Sequence, residues 1–261
     1  MNEEIIYNFP YIEKTLNITK EFAYEVKLNK NNTNKNLKIR ICTFFICYIY
    51  AHLESVLTLL KSNITFKNTI ILLHLRPVLE AYINFRLIFT TKNKNELINL
   101  FANFEVINKY MIIREYNLTN KPKYKNLVEE YKNLEKFYEN LENKYKGIKK
   151  YVYEKGKNWI NLSFKEKLNK IEKTKRSKRG FMGVYKITSN IIHASSPTAE
   201  VLLEKNYLIK NIYEYDIIFS MKLLDILEYT IENKIYKISD ELKLKIYKLS
   251  NELTEKLDKL D

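Results

Sequence analysis

Residues 69–91, TIILLHLRPVLEAYINFRLIFTT, decide the fold of this chain. Nearly every side chain in this stretch is apolar, yet Arg76, Glu80 and Asn84 recur every four residues and would share one narrow stripe of a helix. A helix that is apolar on almost all sides belongs in a protein interior, where an unpaired charge costs several kcal/mol. We therefore predict a central buried helix in which Arg76 and Glu80 either pair with each other or form one wall of a polar pocket.

The scarcity of helix breakers extends this prediction to the whole chain. Only four glycines and four prolines occur among 261 residues, of which 46% are hydrophobic. This composition predicts an all-α protein, a helical bundle of about seven to nine helices packed around the 69–91 helix. We expect a single all-helical domain that covers residues 1–261.

A candidate antiparallel helical hairpin, predicted to project from the bundle, covers residues 93–147. Its arms are expected at about 96–116 and 125–146. The second arm carries apolar and aromatic residues at alternating spacings of four and three, which is typical of a coiled-coil seam. These residues are Leu127, Tyr131, Leu134, Tyr138, Leu141 and Tyr145. A homodimer or a partner protein could use this hairpin or the C-terminal helix, which is expected at 239–260.

Two shorter patterns predict helix boundaries in the second half of the chain. Ser163 and Glu166 have the spacing of a capping box, so a helix should begin there. Gly180 and Gly183 are expected to lead into a further helix that reaches His193, where the sequence SSPT ends it.

The formal net charge of +14 predicts an anionic partner. Basic side chains are densest in residues 165–180, KEKLNKIEKTKRSKRG, which favours RNA or an anionic membrane surface. The candidate RNA contacts in this segment are Lys175, Arg176, Lys178 and Arg179. The alternative is that A/T-rich codons, which encode Lys, Asn, Ile and Tyr, account for the composition.

Cysteine usage and hydropathy predict a cytoplasmic protein without a membrane span. Cys42 and Cys47 lie five residues apart on one predicted helix and point in different directions, which argues against a disulfide between them. The N-terminal residues have neither the basic nor the apolar region of a secretory signal. The longest uncharged apolar run, residues 41–53, is shorter than the roughly 20 residues that a membrane span needs.

We expect neither a metal nor a cofactor. The three histidines, His52, His74 and His193, and the two cysteines show no zinc-site spacing. No phosphate-binding glycine loop or nucleophile elbow occurs either.

Three segments, RPVLEAYINFRLI, NWINLSFKEKL and YKITSNIIHASSP, follow one another along the chain. Together they resemble an uncharacterised all-helical bacterial family with an Arg-x-x-x-Glu-Ala helix, a Trp-x-x-Leu-Ser segment and a Ser-x-x-x-His-x-Ser-Pro helix end. The resemblance spans about residues 37–203 and implies no activity. The matching residues are Arg76, Glu80, Ala81, Trp159, Leu162, Ser163, Ser189, His193, Ser195 and Pro197.

The chain is also distantly similar to HEPN, the helical superfamily of toxin and phage-defence ribonucleases. Its members carry an Arg, four to six further residues, and then a His near a helix end. Here the three positions that the Arg would occupy before His193 are Lys186, Ile187 and Thr188. Lys186 is cationic but lacks the planar fork of arginine, and Arg76 is the alternative cation.

This similarity implies an RNA-binding or RNA-cleaving protein, a toxin-like effector of bacterial antiviral defence that works without a metal. As a metal-independent endoribonuclease it would use His193 as general acid/base, Arg76 or Lys186 on the phosphate, and Glu80 to orient one of them. Ser189, Asn190 and Ser195 are expected at the rim of the same pocket. The alternative is a non-catalytic helical scaffold or small-ligand sensor that holds an anion in this pocket.

Overall fold

The computed structural model describes residues 9–28, 36–62, 67–172, 175–192 and 207–259. Their regular structure is entirely helical, which confirms the predicted all-α class. In chain order the α-helices are α1 Pro10–Leu28, α2 Leu37–Leu60, α3 Lys67–Thr90, α4 Lys94–Glu115, α5 Lys125–Asn133, α6 Glu135–Leu141, α7 Phe164–Ile171, α8 Lys175–Ile192, α9 Tyr207–Glu232 and α10 Asp240–Asp258. A 3-10 turn, Pro122–Tyr124, and a π-helical turn, Lys149–Tyr153, complete the set.

The chain divides into two compact units. The first contains residues 1–85 and 172–261, and the second contains residues 86–171, so the last residues of α3 belong to the second unit. The single domain and the projecting hairpin remain predictions.

The predicted buried character of the 69–91 helix is confirmed in α3. Its described side chains in the first unit are all buried or half-buried, and Leu75, Val78 and Ile83 are fully enclosed. The polar stripe lies on the half-buried side of the helix, where Arg76, Glu80 and Asn84 are all half-buried. The charged groups of Arg76 and Glu80 therefore lie on the side of α3 that is not fully enclosed by the core.

The C-terminal helix α10 packs within the first unit. Ser239 caps it by accepting a hydrogen bond from the Leu242 amide at 3.2 Å, and Glu25 of α1 accepts hydrogen bonds from both the amide and the hydroxyl of Ser239. The apolar residues that repeat along α10 are buried, namely Leu242, Ile246, Leu249 and Leu253. A partner that binds at α10 would therefore have to use its outer face.

The second unit is organised around stacked tyrosines rather than a coiled-coil seam. The second hairpin arm was expected as one helix over residues 125–146, but it is divided at Leu134 into α5 and α6 and ends at Leu141. Two residues of the predicted coiled-coil seam, Tyr131 and Tyr138, do not form a helix–helix seam. Both stack on Tyr153 of the π-helical turn.

The capping box at the start of α7 is confirmed. The Glu166 carboxylate accepts a hydrogen bond from the Ser163 amide at 2.7 Å, while the Glu166 amide donates to the Ser163 hydroxyl at 3.3 Å. The expectation that Gly180 and Gly183 precede the next helix was wrong, because both lie inside α8. Burial of Phe181 on this helix offsets the helix-weakening effect of glycine, which is only about 1 kcal/mol per residue.

One of the described helices, α2, is long and apolar enough to cross a membrane. Core helices of soluble proteins meet the same criterion. In the first unit, α2 buries Ile49, Leu53 and Val56 completely while Phe44 and Tyr48 are exposed.

Candidate functional site

Arg76 is the centre of a polar cluster between α3 and α8. Its Nε donates to Glu80 Oε1 at 2.8 Å, which forms the i,i+4 ion pair that the sequence allowed. Its Nη2 donates to the Tyr185 hydroxyl at 3.3 Å, and its guanidinium carbon lies 4.6 Å from the centroid of the Tyr185 ring. The guanidinium is therefore held from two sides, by a carboxylate on its own helix and by an aromatic ring on α8.

The remaining nitrogen of Arg76 is unsatisfied. Within the part of the chain that the structure describes, Nη1 is buried and has no hydrogen-bond partner. The Arg76 side chain is 17% exposed, whereas that of Glu80 is 43% exposed. Because a buried donor without an acceptor costs about 1–3 kcal/mol, Nη1 marks a position where an added acceptor would be stabilising.

Two histidines lie on the neighbouring side of α3. His52 of α2 and His74 of α3 approach with their Nδ1 atoms 3.1 Å apart. The ring of Tyr48 packs against His52 with centroids 4.7 Å apart. Burial, and then the charge of His74, lower the pKa of His52, so its neutral form is favoured at neutral pH.

Tyr48 links this pair to the Arg76 cluster electrostatically. Burial raises the pKa of Tyr48, and the negative charge of Glu80 raises it further. Tyr48, His52, His74 and the Arg76–Glu80 pair therefore occupy adjacent parts of the α2–α3 surface. Sequence reasoning singled out Arg76 and Glu80 but missed Tyr185 and the approach of His74 to His52. The available signals were the position of His74 two residues before Arg76, and that of Tyr185 four residues before Ser189.

The predicted contacts on α8 are described in part. Ser189 is half-buried one turn after Tyr185, Lys186 is exposed and Lys178 is half-buried. The side chains of Lys175, Arg176, Arg179 and Asn190 lie outside the described part of the structure. His193 and Ser195 lie entirely outside the described residues. The convergence of His193 with Arg76 and Glu80 remains a prediction.

The described side chains contain no group of three or more His, Cys, Asp or Glu residues placed to hold a metal ion. Chemically, the Arg76 cluster offers a fixed cation whose Nη1 nitrogen has no acceptor in the described structure, beside a half-exposed carboxylate. This arrangement fits the oxygen of an anionic group such as a phosphate, which arginine recognises through its planar fork.

Comparison with known proteins identifies a family but no activity. The model of a family described as "Family of unknown function (DUF5677)" matches residues 40–207, which contain α3, α8 and the Arg76 cluster. No curated protein matches the chain. No solved structure matches it either.

Proposed function

We propose that this chain, which belongs to the DUF5677 family of unknown function, binds RNA through its phosphate groups and cleaves it without a metal ion. The observation that carries the proposal is the buried, unsatisfied Nη1 of Arg76. A phosphate oxygen at Nη1 would supply an acceptor to the guanidinium nitrogen that has none in the described structure, while the hydrogen bonds from Nε and Nη2 hold the group in place.

The charge of the whole chain supports RNA over a small neutral ligand. A net charge of +14 attracts a polyanion, and exposed Lys186 lies next to Tyr185 on the helix that contacts Arg76. Lys175, Arg176, Lys178 and Arg179, at the start of α8, would extend the phosphate contacts along the RNA backbone.

The proposed cleavage uses His193, which follows α8 by one residue in the sequence. His193 accepts the proton of a ribose 2′-OH, and the 2′-oxygen attacks phosphorus. The bond from phosphorus to the 5′-oxygen breaks, and His193 as general acid returns the proton to this oxygen, which leaves a 2′,3′-cyclic phosphate and a 5′-hydroxyl. Arg76 and Lys186 stabilise the phosphate charge that builds up, and Glu80 orients Arg76. Ser189, Asn190 and Ser195 would line the same pocket. A bacterial toxin or antiviral effector is the role that fits this chemistry.

The first test compares two arginines that both lie against a tyrosine ring. Arg76 contacts Tyr185, and Arg114 on α4 lies 6.0 Å from the Tyr110 ring centroid. We expect Arg76→Lys to weaken RNA binding about tenfold, because lysine keeps the charge but loses the fork. Arg114→Lys should leave binding unchanged in the same filter-binding titration. Equal effects of the two substitutions would show that Arg76 contributes charge alone.

The second test is cleavage of total RNA in EDTA by the parent protein and a His193→Ala variant. Cleavage that the substitution abolishes supports the ribonuclease.

The lysine at position 186, where the toxin pattern has arginine, favours the alternative of an anion sensor. Its signature would be intact RNA together with saturable binding of inorganic phosphate that Arg76→Lys weakens. Binding to RNA should also weaken steeply as salt rises, since phosphate contacts release counterions.

A further inference from the structure

One face of α2 is exposed along a regular stripe. Its residues are Arg40, Phe44, Cys47, Ala51 and Glu54, all of which are exposed, and Phe44 is 47% exposed. They recur at spacings of four, three, four and three residues, which is the spacing of a helix that packs lengthwise against a second helix. Other residues of α2 are buried in the core of the first unit, so this stripe is the side of the helix that a second molecule can reach.

The α2 stripe is complementary to itself when two copies run antiparallel. Cys47 lies midway between Arg40 and Glu54, seven residues from each. A two-fold axis at Cys47 therefore places Arg40 of each copy opposite Glu54 of the other. The same axis brings the large ring of Phe44 next to the small side chain of Ala51, so that the two surfaces also match in shape. A parallel pair would instead place arginine against arginine and one Phe44 ring against the other.

We propose that the protein forms a weak two-fold dimer in which the α2 stripe packs antiparallel on the same stripe of a second copy. Residues 41–53 contain no Lys, Arg, Asp or Glu. Two chains of net charge +14 can therefore meet here without like charges in contact, while opposite charges meet at both ends. Each copy contributes one helix face, so the interface is small and the expected Kd is on the order of 10 µM.

Contacts within each chain already order the side chains that the dimer would use. Glu54 Oε1 accepts a hydrogen bond from the Tyr50 hydroxyl at 2.8 Å and lies 3.8 Å from Lys20 Nζ, while 52% of the Glu54 side chain remains exposed. The Phe44 ring stacks on that of Tyr48, with centroids 5.5 Å apart. Side chains that are ordered before association lose less conformational entropy when the interface forms.

The first test is sedimentation equilibrium of the full chain under reducing conditions, at concentrations from about 1 to 200 µM. The parent is expected to change from monomer to dimer over this range. Arg40→Glu would place two carboxylates opposite each other, and Glu54→Arg would place two guanidinium groups opposite each other. Each variant alone should weaken the dimer about tenfold or more. An equimolar mixture of the two variants restores opposite charges at both ends and should dimerise as the parent does.

Arg114→Glu is the matched control, because it makes the same change of charge at an exposed arginine on α4 and should leave the dimer unchanged. A parent that stays monomeric, or a mixture of Arg40→Glu and Glu54→Arg that does not dimerise, overturns the proposal. A dimer that neither variant weakens also overturns it and places the contact outside the α2 stripe. A monomeric parent that binds phosphatidylglycerol vesicles would overturn it in favour of a membrane surface.

Cys47 provides a second measurement on the unaltered chain. The two Cys47 thiols would face each other at the dimer axis, whereas Cys42 is buried. A short bis-maleimide should therefore join two parent chains covalently. Cys42→Ser should be joined equally well and Cys47→Ser should not. A parent whose Cys47 reacts with the reagent in the same concentration range without joining two chains would reject the dimer axis. Neither readout involves RNA, so this proposal and the ribonuclease can fail separately.

Discussion

Tyr131→Ala is expected to lower the free energy of unfolding of the second unit by about 4 kcal/mol. Tyr131 is 8% exposed and lies between two parallel rings, with its centroid 3.6 Å from that of Tyr110 and 4.5 Å from that of Tyr153. Its hydroxyl also donates to the Tyr153 carbonyl at 3.1 Å. Alanine would remove the central ring of the stack and leave a cavity between the π-helical turn and α4.

The measurement is chemical denaturation followed by tryptophan fluorescence. Trp159, the only tryptophan of the chain, lies in the second unit, where it is 3% exposed and packs on Phe101 at 5.5 Å between centroids. Its emission therefore reports the unfolding of this unit. The control is Tyr116→Ala, which removes a tyrosine that is 69% exposed in the same unit and should change stability by less than about 0.5 kcal/mol.

Two phenylalanine substitutions separate the hydroxyl groups from the rings. Tyr131→Phe loses the hydrogen bond to Tyr153 and should cost about 1 kcal/mol. The Tyr138 hydroxyl is buried without a hydrogen-bond partner in the described structure, so Tyr138→Phe should be neutral or stabilising. A Tyr131→Ala variant as stable as the Tyr116→Ala control would show that the stack contributes nothing to this unit.

Asp216→Ala is expected to destabilise the first unit by about 3 kcal/mol. Asp216 of α9 is fully buried, and its carboxylate accepts hydrogen bonds from the amides of Tyr11 at 3.0 Å and Ile12 at 2.7 Å. These amides belong to the first turn of α1, which begins at Pro10. Asp216 thus caps α1 from another helix, and alanine would leave two buried donors without an acceptor.

The same carboxyl predicts a particular dependence of stability on pH. Burial raises the pKa of Asp216 to about 6, although the two amide hydrogen bonds and the charge of Lys14 act in the opposite direction. The unfolded chain has an Asp pKa of about 3.9. Because the folded state holds the proton more tightly, the contribution of Asp216 to stability is largest below pH 4 and is lost as the pH rises through about 6.

Asp216→Asn tests this dependence because its side chain has the same shape and does not titrate. We expect the stability of the parent minus that of the Asn variant to fall by roughly 2 kcal/mol as the pH rises from 4 to 7. Asp258→Ala, at an exposed carboxylate on α10, serves as the control and should leave the parent profile unchanged. A difference that is constant with pH, or that rises, would contradict the assignment.

Local patterns in the sequence were sufficient for the fold class and for the elements that depend on near neighbours. The long helical periods and few helix breakers predicted an all-α protein. The observed α3 begins two residues earlier than the expected helix over residues 69–91 and ends one residue earlier. The Ser163–Glu166 capping box and the Arg76–Glu80 pair also follow from spacings of three and four residues. These features are encoded in one turn of a helix, so the sequence displays them directly.

The tertiary structure decided which polar groups meet across helices. Arg76 and Tyr185 are 109 residues apart, His52 and His74 are 22 apart, and Asp216 caps a helix that lies 204 residues away at Ile12. It also decided that α5 and α6 separate at Leu134. The physical reason is common to all of these cases. Such contacts depend on how helices that are distant in the sequence pack against each other. The sequence of a single helix does not specify which other helix its faces will contact.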